Sequence, residues 1–563
     1  MKLRQSNLDR LDRREFDVLI VGGGINGAVS ASSLTSRGVS VALIDRGDFG
    51  GETSQESSNL IWGGIKYLES FELGLVRKLC LSRNHLIRSY PSNVREIRFL
   101  TTLRRGFRRN RFTLFLGALL YWLMGDFFTR RPRPLSARAI GRTEPAISTV
   151  ESPGGFEYSD AWLVDNDARF VFRFVREALD HGGIAANYVE ATGSTFDGER
   201  WVTRARDRMD GRELTITSRV LINACGPWVD PVNAVDGVST THRHVYSKGV
   251  HLIVDRVTEE RRVLAFFADD GRLFFVIPMG VRSCIGTTDT RVDSPDAVVT
   301  PEDRRFILDN INRQLALPRP LTEADIIAER CGVRPLVVET GARSQDTGDW
   351  TSLSRKHAVE LDRDKRHISV YGGKLTDCLN VGDEIAEQVR RLGVAMPYSR
   401  IRWYGEPPDA VRDEFFLQAE RMGLDAMTAP ESSERLATRL WRRYSARALD
   451  ILEDIRQDPA MAEVLIVGTE YIRAEIHHAA RSEMVTRLED FLRRRSKIAL
   501  VERTEVIARS PGLLEACRIL FGADAQRRLD EYFAERDGAS GPRVTASEIS
   551  SAPQRSSARP TGP

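Results

Sequence analysis

Near the start of the chain the apolar residues come in short, unbroken runs rather than in a helical stripe. Val18–Val21 is one such run, and its length and its bounding glycines predict a buried strand. Gly22, Gly24 and Gly27 follow in GxGxxG spacing, with Asn26 between the last two, and Ala28–Ser36 then reads as a helix. A second apolar run, Val39–Ile44, predicts another strand that stops at Asp45. The same pattern recurs twice more. "RVLINACGPWVD" (Arg219–Asp230) reads as a buried strand ending in a small-residue turn, and "HISVYGGKLTD" (His367–Asp377) as a strand running through paired glycines into a helix start. Beyond about Tyr404 the periodicity becomes helical, and "EYIRAEIHHAARSEMVTRLEDFLRRRSKIAL" predicts one long amphipathic segment. The stretch from Asp537 is rich in Gly, Ser, Ala and Pro and predicts a disordered tail.

The strand, glycine, helix, strand and acid fall in the order of a dinucleotide cradle. The three glycines serve different ends, namely a tight turn, close approach of backbone to a pyrophosphate, and close packing of helix on strand. The helix N-terminus then faces the phosphates, and Asp45 is placed to accept hydrogen bonds from an adenosine ribose. Nicotinamide and flavin enzymes share this cradle. The two later strand-and-turn segments tilt the choice toward FAD, because the turn at Gly226 suits a chain returning to a flavin domain. A helix N-terminus after Gly373 would stabilise negative charge on a flavin ring.

A length of 563 residues predicts two or three structural units. Lys and Arg number 82 against 79 Asp and Glu, a net charge of +3 that indicates no nucleic-acid partner. The six cysteines form no CxxC pair and do not cluster with the nine histidines, so neither a metal site nor a disulfide framework is suggested and a reducing compartment fits best. The N-terminus "MKLRQSNLDRLDRREF" has no apolar core, which argues against a secretory signal and for a start in the cytoplasm. Phe112–Phe128 is mostly apolar between arginine clusters, but shorter than the roughly twenty residues of a spanning helix. It is either a helix lying at an anionic bilayer surface or an internal helix with solvated arginines at its ends.

From about Asp17 to about Ile507 the chain resembles the FAD-dependent, quinone-linked glycerol-3-phosphate dehydrogenases. The pieces that carry the resemblance are "VGGGINGA", "GGIKYLE", "GFEYSDAWLVDNDARFV", "NACGPWV", "KGVHLIV", "FFVIPMG", "IGTTDT", "GVRPL", "SRKH" and "GGKLT". The resemblance implies an α/β fold: a two-dinucleotide-binding-domain, Rossmann-like FAD fold with a sheet-based substrate domain and a helical C-terminal domain. The expected divisions are an N-terminal extension 1–16, an FAD-dependent oxidoreductase region 17–400, a helical domain 401–536 and a tail 537–563. Within that region the FAD-binding domain is expected in three pieces, at about 17–100, 160–250 and 330–400. The implied reaction is oxidation of sn-glycerol 3-phosphate to dihydroxyacetone phosphate, with electrons passed to a membrane quinone. The resemblance also implies a protein held peripherally at the inner face of the cell membrane, and a homodimer is compatible with it.

By residue, the resemblance assigns His251, Arg334 and Lys374 to catalysis, and Lys66, Tyr67, Arg334 and Arg355 to a small anionic substrate. It assigns Gly22, Gly24, Asn26, Gly27, Asp45, Ser57, Ser58, Gly63, Gly64, Gly226, Gly373, Lys374, Leu375 and Thr376 to FAD, and no residue to a metal. The chemistry suits these types. Guanidinium forks match phosphate oxygens, and imidazole transfers protons near neutral pH. Local sequence leaves other fates open: a salt-bridging role for either arginine, a solvated Lys374, a satisfied core histidine at His251, and a plain turn at Thr287–Asp289.

The loop "SSNLIWGGIKYLE" departs from the family's S-S-K-L-I-H-G-G-L-R-Y-L, placing Asn59, Trp62 and Lys66 where lysine, histidine and arginine stand. Asp377 likewise replaces a threonine, and is expected to add an anion near the phosphate site. Asn59 removes a cation, Lys66 keeps charge without a fork, and Trp62 narrows the pocket or stacks on the cofactor. These departures leave open another small anionic alcohol or amine as substrate, oxygen as acceptor, or a catalytically altered flavoprotein.

Overall fold

The computed structural model describes residues 2–103, 111–150, 152–268, 272–340, 356–430 and 432–537. Arg355 and the expected tail beyond Asp537 lie outside the described residues, as do most of the arginines preceding Phe112.

The apolar runs do form a doubly covered parallel sheet. Its strands lie in the order Ala358–Asp362, His367–Tyr371, Glu213–Asn223, Glu15–Val21, Val41–Ile44 and Ile184–Ala186. All neighbours are parallel except the first pair, and Val189–Phe196 with Trp201–Asp207 continue it as an antiparallel meander on Glu213–Asn223. Helices Ile25–Ser36, Asp167–Asp180 and Cys378–Arg391 bury one face. The other face is covered by the meander and by helix Lys2–Leu11, whose Leu8 and Leu11 are fully buried. Burial on both faces is why these strands read as continuous apolar runs. The first helix is tied down by Arg4, which donates to both Asp207 carboxylate oxygens at 2.8 and 3.0 Å.

A second sheet of ten strands stands over the first. Its order is Thr290–Val292, His242–Asp255, Arg282–Gly286, Leu273–Met279, Arg262–Phe267, Val94–Leu103, Gly154–Leu163 and Leu60–Ile61. Ala328–Glu339 joins the side of His242–Asp255, and Arg133–Leu135 joins Gly154–Leu163. The long antiparallel pair sets Ser247 opposite Arg334, Gly249 opposite Gly332 and His251 opposite Arg330. That register decides the site.

Helix Arg111–Met124 packs Ala118 and Tyr121 into the second sheet's core. Its other face is Phe112, Leu116, Leu120 and Leu123, a stripe at helical spacing that is 41–69% exposed. No helix among the described residues is long and apolar enough to cross a membrane.

The C-terminal region is helical, with Asp409–Arg421, Leu436–Tyr444, Ala448–Gln457, Arg473–Ser482, Leu513–Phe521 and Ala525–Asp537 around two apolar clusters. The long amphipathic segment expected over Glu470–Leu500 is broken. The helix stops at Ser482, Met484 turns left-handed at φ +49°, and Asp490–Arg495 forms a separate wide π-helical turn. The cause is electrostatic: Arg493, Arg494 and Arg495 are all buried and face carboxylates of the first sheet's domain rather than solvent.

Candidate active site

The glycine motif builds a tight strand-to-helix turn. Gly22 has φ +103°, and a Cβ there would lie 2.5 Å from the Ala224 carbonyl; one on Gly27 would lie 1.8 Å from the Gly22 carbonyl. Only glycine permits either approach. Gly24 caps the helix, and a Cβ there would meet only Ser54 Oγ, at 3.3 Å, within 4 Å. Asp45 accepts from the amides of Gly23 at 2.6 Å and Gly47 at 2.8 Å, which fixes its carboxylate at the end of its strand.

In front of this turn lies a cavity of about 300 Å³ whose walls include Gly22, Gly24, Asn26, Asp45, Gly226 and Gly373. A second cavity of about 270 Å³ adjoins it, sharing Ile25, Thr53, Ser54, Pro335 and Gly373. Together they form one slot running from Asp45 to Lys374. The residues fit FAD on two counts: the open backbone at Gly24, and Asn26, which donates to the Gly372 carbonyl at 2.9 Å while its buried Oδ1 has no partner. Asp45 and the helix N-terminus would hold the ribose and pyrophosphate. The turn at Gly373 and the 3-10 turn Leu375–Asp377 would face the flavin ring.

The second cavity gathers most of the expected chemistry. Ser57, Ser58, Tyr67, His251, Arg334, Gly373, Lys374, Leu375 and Thr376 all line it. Arg334 crosses its strand pair over Gly249, where a Cβ would sit 2.1 Å from the guanidinium. Thr287 Oγ1 accepts from it at 3.0 Å and Asp289 at 3.3 Å. Thr287–Asp289 is therefore no idle turn but the support of this arginine. Lys374 donates to the Tyr67 hydroxyl at 2.7 Å and lies 4.2 Å from its ring centroid.

His251 is 3% exposed, yet neither ring nitrogen has a hydrogen-bond partner among the described residues. It is not a satisfied core histidine. Burial, then Arg334 and Arg330, push its pKa down to about 3, so the ring is neutral and an acceptor.

Four expectations are placed differently. Lys66 sits in the 3-10 turn Ile65–Leu68, outside the cavity lining. Gly63 and Gly64 line neither cavity, because they pack on side chains: a Cβ on Gly63 would lie 2.2 Å from the Tyr121 hydroxyl, and one on Gly64 2.5 Å from the Tyr67 ring. Asn59 is buried at φ +57°, with Nδ2 on the Asp165 carbonyl and Oδ1 on Arg330, so it braces the loop. Asparagine tolerates that left-handed backbone better than lysine would. Asp377 adds no anion to the pocket, since its carboxylate is held by His357 at 2.8 Å, Lys78 at 3.0 Å and Ser82 at 3.0 Å. Trp62 does line the cavity and packs against Tyr67 and Phe275, forming an apolar wall.

Sequence reasoning missed two residues. Arg330, fully buried, donates to Ser57 O and Asn59 Oδ1 and so pins the loop from below. Asp160, also buried, accepts from the Gly63 amide at 3.1 Å, the Tyr121 hydroxyl at 2.6 Å and Arg83 at 3.1 Å. A glycine inside a strand, Gly249 opposite Gly332, was the available signal for a side chain crossing there.

Comparison with known proteins agrees with this geometry. Residues 17–357 match the family described as FAD dependent oxidoreductase, and residues 413–528 match the C-terminal domain of alpha-glycerophosphate oxidase. The aerobic glycerol-3-phosphate dehydrogenase of Staphylococcus epidermidis is 28% identical over 498 residues, covering 86% of each chain. That of Staphylococcus aureus is 28% identical over 495 residues, with the same coverage. Among solved structures, the glycerol-3-phosphate dehydrogenase of Bacillus halodurans complexed with FAD superposes with a TM-score of 0.68 at 22% identity, covering 95% of this chain and 97% of that one. The L-alpha-glycerophosphate oxidase of Mycoplasma pneumoniae with FAD bound gives 0.52 at 16% identity, covering 70% and 99%. With the slot, the glycine turn and a family match over most of its length, the chain belongs to the FAD dependent oxidoreductases and is an FAD-dependent enzyme.

Proposed function

We propose that the chain oxidises sn-glycerol 3-phosphate to dihydroxyacetone phosphate and passes the electrons to a quinone at a membrane surface. The observation that carries this is Arg334, seated over Gly249 in the same cavity as His251 and Lys374. A guanidinium already held by Thr287 and Asp289 meets a phosphate without having to be ordered on binding. Lys374, steered by Tyr67, adds a second positive charge. The names of the similar dehydrogenases and of the C-terminal domain family support the same substrate.

Bound FAD supplies the two-electron acceptor for the hydride that leaves the substrate's secondary carbon. The hydroxyl proton goes to His251. In the protein alone this imidazole is a weak base because burial and Arg334 disfavour its charged form. A phosphate dianion docked on Arg334 offsets that field and raises the basicity of the ring as substrate arrives. The apolar wall of Trp62, Tyr67 and Phe275 excludes water from the reacting carbon.

The exposed stripe Phe112, Leu116, Leu120 and Leu123 supports docking on the bilayer that holds the quinone. Arg130 and Arg131, just past this helix, are exposed and suit anionic headgroups. A second reading, an anionic alcohol with an apolar substituent, is favoured by Trp62 in the cavity wall.

The test is anaerobic mixing of detergent-purified protein with sn-glycerol 3-phosphate while the oxidised-flavin absorbance is followed. Bleaching that a quinone analogue reverses is expected. Flavin that stays oxidised at saturating substrate, yet is reduced by dithionite, overturns the assignment.

A further inference from the structure

Glu56 is the only carboxylate among the described residues lining the substrate cavity. It stands on the same loop as Ser57 and Ser58 and packs directly on Gly332, where a Cβ would lie 2.8 Å from its own Cβ. An unpaired carboxylate there would repel any anion that came to Arg334. It is not unpaired. Arg493 Nη2 donates to both carboxylate oxygens at 2.8 Å, and the Cys331 amide donates to one of them at 3.2 Å. Both side chains are nearly closed to solvent, at 8% for Arg493 and 11% for Glu56, so the pair is poorly screened. The other buried guanidinium nearby, Arg330, engages Asp167, Asn59 and the Ser57 carbonyl through Nη1 alone.

Arg493 comes from the wide turn Asp490–Arg495 of the C-terminal helical region, whereas the charged residues that line this cavity, Glu56, Arg334 and Lys374, belong to the two sheets and their loops. We infer that Arg493 is the charge-setting residue of the substrate cavity: by pairing with Glu56 across the domain boundary it cancels the wall's carboxylate and makes the cavity selective for anionic substrates. This rests on the anionic-substrate proposal above. Arg493 lines neither cavity and acts through Glu56.

Holoenzyme is titrated with inorganic phosphate, and binding is read from perturbation of the flavin absorbance. Turnover of sn-glycerol 3-phosphate is measured beside it. Arg493→Gln leaves Glu56 charged and unpaired, and is expected to weaken phosphate about tenfold or more. It should raise KM by a similar factor, with kcat changed less than about threefold. Glu56→Gln alone removes the negative charge and is expected to bind phosphate at least as tightly as the parent. The double variant is expected to regain the parent's affinity, which a merely structural role for Arg493 would not produce. Should Arg493→Gln fail to fold or to retain FAD, Glu56→Gln decides alone: weaker phosphate binding in it overturns the inference. If the parent binds phosphate and Arg493→Gln binds it equally, the inference falls while the anionic-substrate proposal stands. If the parent binds neither phosphate nor sn-glycerol 3-phosphate, both fall.

Discussion

Two arginine-rich stretches of this chain look alike on paper and end in opposite surroundings. After helix Arg111–Met124, Arg130 and Arg133 leave 70% and 65% of their side chains in solvent beside an exposed apolar stripe. In "FLRRRSK" the side chains of Arg493, Arg494 and Arg495 are 8%, 7% and 0% exposed. Composition does not separate them. Nor does the supply of carboxylates, since Arg130 meets Glu96 at 3.4 Å and Arg133 meets Glu157 at 2.6 Å. What separates them is burial of the whole pair: Arg494 and Arg495 share fully buried Asp48 at 2.7 and 2.8 Å, and Arg494 also holds Asp490 at 2.6 Å. Asp48 follows closely on the nucleotide-binding strand and its acid, so the C-terminal domain is locked onto the FAD cradle by charge. A buried ion pair is costly to half-remove and an exposed one is nearly free.

The largest effect is therefore expected at Asp48. Burial alone would raise its pKa, and Arg495 and Arg494 overcome this and hold the carboxyl below the usual range. Asp48→Ala leaves Arg495 without a carboxylate and Arg494 with Asp490 alone, and should cost roughly 3–5 kcal/mol, seen as a lower urea midpoint with early release of FAD. Arg130→Ala, on the exposed side of the comparison, should cost within about 1 kcal/mol in the same titration. Equal losses would erase the distinction.

Arg334 sharpens the comparison as an intermediate case, 27% exposed and 3.3 Å from Asp289. An arginine kept for a ligand is expected to matter more to turnover than to folding. Arg334→Gln should lower kcat/KM by about a hundredfold, on the order of 3 kcal/mol of lost transition-state binding, with a midpoint shift within about 1 kcal/mol. A variant that turns over normally would show that no phosphate docks there.

The difference between these regions also marks what the sequence could tell. The FAD cradle was legible because its determinants are local: strand, glycines, helix and Asp45 lie within one continuous stretch. The roles of Arg334 and Lys374 came from motif resemblance, and the structure brings both to the cavity expected of them. Of the loop substitutions, Trp62 lines the cavity, whereas Asn59 serves Arg330 and Asp165 rather than the pocket. Glu56 and Arg493 lie 437 positions apart, and no periodicity or motif joins them. Long-range charge pairing is a property of the assembled layers, so a buried RRR reads from sequence as a solvated helix end.

Buried histidines give the next effect. Burial pushes His244 and His367 down to about 4, so each is neutral in the folded state. The unfolded chain takes up a proton near pH 6.5 that the folded chain refuses. Their stability is thus present above that pH and lost as pH falls toward the folded value. His357 runs the other way: Asp377 and Glu384 outweigh burial and the opposing charge of Lys78, raising its pKa, so its contribution is present below the unfolded value and lost as pH rises through the folded one. Each of His244 and His367 is expected to cost on the order of 1–2 kcal/mol by pH 5. His244→Gln should flatten the acid side of a melting-temperature profile between pH 7 and 5, and an unchanged slope would remove His244 as a cause.

The smallest effect on folding is expected on the exposed helix, and there the comparison is most easily broken. Leu116, Leu120 and Leu123 face outward while Ala118 and Tyr121 hold the helix to the sheet, with Tyr121 donating to buried Asp160. Changing all three leucines to glutamine leaves that inner face intact and keeps good helix formers. Stability should move within about 0.5 kcal/mol per site. Binding to vesicles containing anionic lipid should fall steeply, because each leucine contributes about 2 kcal/mol when its side chain is fully buried. Sedimentation of the holoenzyme with such vesicles, beside its melting temperature, separates the two quantities. A variant that melts early but still sediments would mean that the stripe is internal packing and that the two arginine-rich stretches are alike after all.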